Sequence, residues 1–299
     1  MRLLTHAPSD APPRAAILDD HELLHDLCRG SNLLSLLDVI DCWGDHQELV
    51  KRALEEVGLP LTATRVLAPI PRPRRNIFCV GKNYREHARE FATSGYDVDT
   101  STTTDDHAPS HPIVFTKPPS SVIGPGAVVS THPTVTKEVD YEGELAVIVG
   151  RGGINISADD AGKHIWGYTI LNDVTARDRQ RDHKQWFLGK GLDTFCPMGP
   201  YAVSADEVDP DGQGRPHLRI ESAINGEVRQ RAATSDLIFD VPRLIQEISA
   251  GLTLEPGDII ATGTPDGVGI GYDPPRFLKA GDEMTVSITG LGILRNQMG

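Results

Sequence analysis

Cysteine is scarce: four in 299 residues. Cys28, Cys42, Cys79 and Cys196 show no C-x-x-C spacing. That removes the usual signature of a zinc or dithiol centre and reads instead as small apolar side chains in a reducing, cytoplasmic compartment. Positive charge is also in deficit. Lys and Arg number 29 against 42 Asp and Glu, a formal net charge of -13, which argues against a nucleic-acid or anionic-membrane surface. No apolar run approaches the ~18 residues a membrane span needs. The polar, Pro-rich start from Met1 to Pro13 lacks the basic and apolar blocks of a signal peptide. There is no repeat of fixed period, no G-x-G-x-x-G before a helix and no P-loop lysine.

What is present fits a soluble globular protein: 39% hydrophobic residues and a mean hydropathy of -0.26. The length suits one large domain, or one large and one small. Residues 14–58 read as helical from the spacing of Leu23, Leu24 and Leu27 and of Leu33, Leu34, Leu36, Leu37 and Ile40, with a short amphipathic helix over 48–57. A Pro- and Arg-rich joint at 69–75 marks a boundary. Beyond it, short β-branched runs alternate with Gly/Pro/Asp turns, so the body is expected to be mostly β.

Carboxylates carry the strongest chemical signal. Glu142 and Glu144 lie two apart before the apolar run Leu145–Val149. Alternate strand residues share a face, and the continuous run suggests a strand buried on both faces. A second β-branched run, Tyr168–Asn172, ends in Asp173. Three carboxylates meeting at one point repel unless protonated or bridged by a cation. An all-oxygen set favours Mg²⁺ or Mn²⁺, or Ca²⁺ in a crystal, over Zn²⁺. A solvated strand edge is the ordinary alternative. An anionic substrate of so acidic a chain would need positive potential supplied locally.

Further candidates flank this set. His87 and Glu90 are three apart in a segment of helical composition, so a carboxylate can fix the imidazole tautomer and strengthen it as a base; a surface pair is the competing reading. Lys117 precedes Pro118-Pro119, and Lys190 sits between Gly189 and Gly191 near aromatics, as an oxyanion or carboxylate binder would. A helix starting near Asp173 would put Asp173, Arg177 and Gln180 on one face. The loop Gly263-Thr264-Pro265-Asp266-Gly267-Val268-Gly269 could receive an anion on its N–H groups and the Thr264 hydroxyl. Residues 92–111, nearly devoid of core side chains, form a long polar loop, read as a lid. His21-Glu22-Leu23-Leu24-His25 matches the zinc-protease pattern H-E-x-x-H, but at the N-terminus and without a scaffold. An amphipathic helix with Leu23 and Leu24 inward and both histidines outward is the preferred reading.

Taken in order, Val80-Gly81-Lys82-Asn83-Tyr84 with His87, Phe115-Thr116-Lys117-Pro118-Pro119-Ser120, Asp140-Tyr141-Glu142-Gly143-Glu144-Leu145, Asn172–Asp178, Lys190-Gly191 and the Gly257–Gly269 stretch resemble the fumarylacetoacetate hydrolase superfamily across about residues 74 to 297. The resemblance implies an α+β, mainly β fold: a mixed β-sandwich or β-roll catalytic domain at 73–299, a small N-terminal domain at 1–72 and a lid at about 82–111, usually as a homodimer. It implies a divalent ion on Glu142, Glu144 and Asp173. His87 with Glu90 would be the water-activating dyad, and Lys190 would stabilise an enolate. Arg177, Gln180, Thr264 and Lys117 would hold a 2-oxo or 2,4-dioxo acid. The expected activity is metal-dependent hydrolysis of a C–C bond in an acylpyruvate-like acid, with 2-oxo-acid decarboxylase, hydratase or isomerase chemistry on the same site as the alternative. A non-catalytic oxo-acid binder is the distant third.

Overall fold

The apolar run before Val149 forms the central strand, Gly143–Val149, and every residue in it is buried. Leu145, Val147 and Val149 join one core cluster, while Ala146 and Ile148 join the cluster on the opposite face. The strand is therefore sandwiched, as its unbroken apolar sequence requires. Fully burying each such large aliphatic chain contributes about 1.5–3 kcal/mol. The computed structural model describes residues 1–8, 12–29, 35–42, 46–97 and 107–299.

Two sheets enclose the first core. In the larger, Gly143–Val149 lies between Ile165–Asn172 and Ile259–Ala261, both antiparallel to it. The sheet continues through Ile77–Gly81, parallel to Ile259–Ala261, to Ile113–Lys117. The smaller sheet contains Arg219–Ile224, Glu227–Ala233, Glu283–Ile288 and Gly292–Met298. It turns Ile220, Val286, Ile288 and Leu294 onto Leu145 and Val147. The fold is α+β and mainly β, as expected, with mixed sheets and few helices.

The N-terminal region departs from its sequence pattern. Residues 14–58 are not helical throughout: Arg14–Leu18 and Leu23–Asp26 are strands. Leu-rich spacing over so few residues fits either period, and tertiary pairing decides. Arg14–Leu18 pairs with Arg2–Ala7, and Arg2–Ala7 pairs in turn with Cys196–Ser204, so these strands extend the large sheet. The helices are short, Leu36–Asp41 and His46–Glu55. Leu36, Val39 and Ile40 cover the second core face.

The H-E-x-x-H segment is thus a turn and a strand, not a helix. Asp19 accepts the N–H groups of His21 and Leu23. His25, buried rather than outward, pairs through Nε2 with Asp19 Oδ2 at 3.1 Å and through Nδ1 with the Glu56 carbonyl at 3.2 Å. It is a structural histidine. Of the polar 92–111 segment, residues 98–106 lie outside the described residues. No helix among the described residues is long and apolar enough to cross a membrane.

Candidate active site

Strand register brings the acidic residues together. Gly143 pairs with Asn172, so the residues one step beyond, Glu142 and Asp173, become neighbours; the Asp173 N–H donates to the Glu142 carbonyl at 2.8 Å. Glu144 follows two residues after Glu142 and shares its side of the strand. Each of the three offers an oxygen within 4.8 Å of the others', and all are buried. Neither thiolate nor imidazole is in the set, so its chemistry suits a hard divalent ion.

Cations converge on the same point. Lys190 Nζ bridges Glu142 Oε2 and Asp173 Oδ2, 2.7 Å from each. Lys117 Nζ donates to Asp173 Oδ1 at 2.5 Å and to the Val174 and Lys190 carbonyls. Fully buried, Lys117 stands behind Asp173 and does not line the cleft. The helix expected from Asp173 begins only at Arg177 (Arg177–His183), because Thr175–Ala176 first pairs as a strand with Val139–Asp140. Asp173 reaches the site by sheet register instead. Arg177 and Gln180 do share a helix face, with Arg177 Nη1 on Gln180 Oε1 at 3.0 Å. Arg177 also pairs with Asp140 at 2.9 Å and with Glu142 at 2.6 Å.

Over this floor lies the helix Arg85–Thr93. His87 Nδ1 stands 3.2 Å from Glu90 Oε2, and Glu90 Oε1 accepts the Gly267 N–H at 3.0 Å. Phe91 seats the helix against Val268, Ile270 and Trp186. Floor and roof nearly meet, leaving a narrow cleft lined by His87, Glu142, Arg177, Gln180, Lys190 and Thr264, together with Lys82, Phe91 and Trp186.

The family model for the fumarylacetoacetate (FAA) hydrolase C-terminal region matches residues 76–298. The chain belongs to the fumarylacetoacetate hydrolase family. It is 44% identical to the oxaloacetate tautomerase YisK of Bacillus subtilis over 95% of both chains. Its fold matches a fumarylacetoacetate hydrolase from Exiguobacterium antarcticum (TM-score 0.83, 39% identity, 100% and 99% of the two chains). It also matches a maleylpyruvate hydrolase from Sphingobium sp. SYK-6 in complex with manganese and pyruvate (TM-score 0.76, 26% identity, 100% and 98%).

In this family member the electrostatics separate the carboxylates. Burial would raise Glu142, but Lys190 and Arg177 outweigh it and hold its pKa at about 2. For Glu144 the charge of Lys190 pulls the same way but does not win. Burial, then the charges of Asp173 and Glu142, push its carboxyl well above the ordinary range, against one backbone bond from Gly263 at 2.8 Å. A divalent ion among these oxygens would relieve that repulsion, so the residues present fit a metal.

The glycine-rich loop does receive anions, but they are the protein's own. Gly263 N–H binds Glu144 and Gly267 N–H binds Glu90. The Gly269 and Ile270 N–H groups bind Asp140 at 2.7 and 3.2 Å. Gly263 and Gly267 have φ of 102° and 94°, which glycine alone adopts freely. Thr264 donates to the Gly143 carbonyl and accepts from Gln230. Sequence reasoning missed Asp140, Lys82, Gln230 and Asn172, whose Oδ1 accepts the Glu142 N–H. Asp140 had a signal, since 140, 142 and 144 are acidic at alternate positions. Gln230 had none, because a distant strand delivers it.

Proposed function

We propose that the chain is a divalent-metal-dependent tautomerase that interconverts the keto and enol forms of oxaloacetate. The observation that carries this reading is the 44% identity to an oxaloacetate tautomerase along 95% of each chain. The site chemistry agrees with it. Glu142, Glu144 and Asp173 would hold Mg²⁺ or Mn²⁺, and the bound ion would supply positive charge to the substrate's 2-oxo-acid end.

The chain's own groups do the rest. Arg177, Gln180 and Thr264 orient the carboxylate beside that oxygen. His87 takes a proton from C3 and returns it to the C2 oxygen: a C–H bond breaks, an O–H bond forms, and His87 ends as it began. Glu90 holds the imidazole tautomer through Nδ1. Lys190 faces the C2 oxygen as negative charge develops there. The Arg85–Thr93 helix, as a lid, keeps bulk water from the exposed carbanion. We read the active unit as a homodimer, with residues 1–72 as its smaller N-terminal part, working in the reducing cytoplasm, in keeping with the scarcity of cysteine.

The His87–Glu90 pair favours a second reading, because such a dyad can also activate water for C–C hydrolysis of an acylpyruvate. One experiment separates them. The Mg²⁺-loaded protein is given enol-oxaloacetate and, separately, a panel of acylpyruvates, while enol absorbance, pyruvate and CO₂ are followed. Fast loss of the enol signal without pyruvate or CO₂ supports the tautomerase. Pyruvate from an acylpyruvate, with no acceleration of tautomerisation, overturns it in favour of the hydrolase.

A further inference from the structure

Three cations line the cleft, and two of them are bound to the carboxylate floor. Arg177 is held by Asp140 and Glu142, and Lys190 by Glu142 and Asp173. The third, Lys82, is not among the groups that touch the floor. Its Nζ lies 2.7 Å from Asp97 Oδ2, and both side chains are 4% exposed. The same ammonium stands 5.0 Å from the Phe91 ring centre, which also has the Arg177 guanidinium at 5.9 Å. Phe91 therefore has both Lys82 and Arg177 within cation–π range.

Two features hold Lys82 in this position at a conformational cost. Its φ is 55°, a left-handed conformation uncommon for a lysine and one that strain accompanies at functional positions. Gly81 leaves space for Trp186: a Cβ there would fall 2.3 Å from the ring. Trp186 thus closes the cleft wall beside the lysine. An ammonium has three donors, and one is given to Asp97.

We propose that Lys82 binds the distal carboxylate of the substrate and so selects a short oxo diacid over an oxo monoacid. This rests on the tautomerase reading, in which the substrate carries a carboxylate at each end. The floor takes the 2-oxo-acid end, and the second carboxylate meets the cleft's remaining cation. Lys82 keeps donors beyond the one given to Asp97, so a distal carboxylate adds a charge-assisted hydrogen bond that a monoacid cannot make.

The test compares ligands that differ at the distal end. Lys82→Met keeps the length of the side chain and removes its charge. In the Mg²⁺-loaded protein it is expected to raise KM for oxaloacetate by about 10²-fold. Inhibition constants for oxalate and pyruvate, which engage the floor alone, are expected to change less than about threefold. Lys82→Arg should restore most of the oxaloacetate affinity. An unchanged KM in Lys82→Met overturns the proposal, and so does an equal loss for all three ligands, which marks a structural lysine. A wild-type protein inactive on oxaloacetate instead overturns the tautomerase reading, and is recognised before any variant is made.

Discussion

The floor and the roof of the cleft are built on opposite plans. The floor is a set of strand ends in which Glu142, Asp173, Lys190, Lys117 and Arg177 satisfy one another several times over. The roof is a nine-residue helix held by the Phe91 cluster and by single polar contacts, Glu90 to Gly267 and Lys82 to Asp97. A dense charge network resists motion, since moving one member strands another buried charge. A small apolar anchor permits it. On the proposed reading, binding belongs to the charge-networked floor and proton transfer to the helix above it.

Breaking the floor has the largest expected effect. Glu144→Gln keeps the shape and can still accept from Gly263, so the fold is expected to survive while activity falls by about 10³-fold or more with the loss of metal; metal titration and thermal melting check both halves. Chelation should silence the wild type, and Mg²⁺ or Mn²⁺ should revive it. The pH dependence sharpens the point. Glu144 is raised on folding, so its stabilising share is complete below the ordinary carboxylate pKa and is lost as pH rises through the folded value. Metal-free protein should therefore melt at lower temperature as pH climbs above about 4.3. Glu144→Gln, or added Mg²⁺, should flatten that slope.

Breaking the roof costs less and spares binding. His87→Ala is expected to lower turnover by about 10²–10⁴-fold, whereas calorimetric affinity for oxalate in the presence of Mg²⁺ stays near wild type. Loss of oxalate affinity would make His87 a ligand-holding residue and erase the division of labour. A subtler measurement is hydrogen exchange with and without oxalate. Amides of Arg85–Thr93 should gain protection on binding, while those of Gly143–Val149 are slow in both states. Equal exchange of the helix in both states would mean that closure is not coupled to the ligand. The smallest effect on activity belongs to His21→Ala combined with His25→Ala. Turnover should be unchanged, with about 1 kcal/mol of stability lost through the His25 contacts. A collapse of turnover would revive a zinc role for that segment.

Much of the site was legible because it was local. The alternating Glu142 and Glu144, the apolar strand behind them, and His87 with Glu90 on one helical turn are each short-range patterns with a physical meaning. The N-terminal hairpin was not legible. Leu23, Leu24 and Leu27 suit a helix as well as a strand, and only the pairing of Leu23–Asp26 with Arg14–Leu18, and of that strand with Arg2–Ala7, decides between them. The helix drawn from Asp173 failed for the same reason, since Thr175–Ala176 is claimed by Val139–Asp140.

By itself the sequence determined the chemistry available: oxygen ligands without thiolate, a histidine beside a carboxylate, few cations but some beside glycines and aromatics, and strands enough for a buried sheet. Tertiary structure alone decided which charges meet. Strand register set Asp173 beside Glu142, and burial turned Lys117 into a support for Asp173. The glycine loop closed on Glu144, Glu90 and Asp140, and Lys82 was left facing the cleft. Side-chain periodicity fixes only the face a residue occupies, whereas electrostatic partnership depends on distances between segments far apart in the chain.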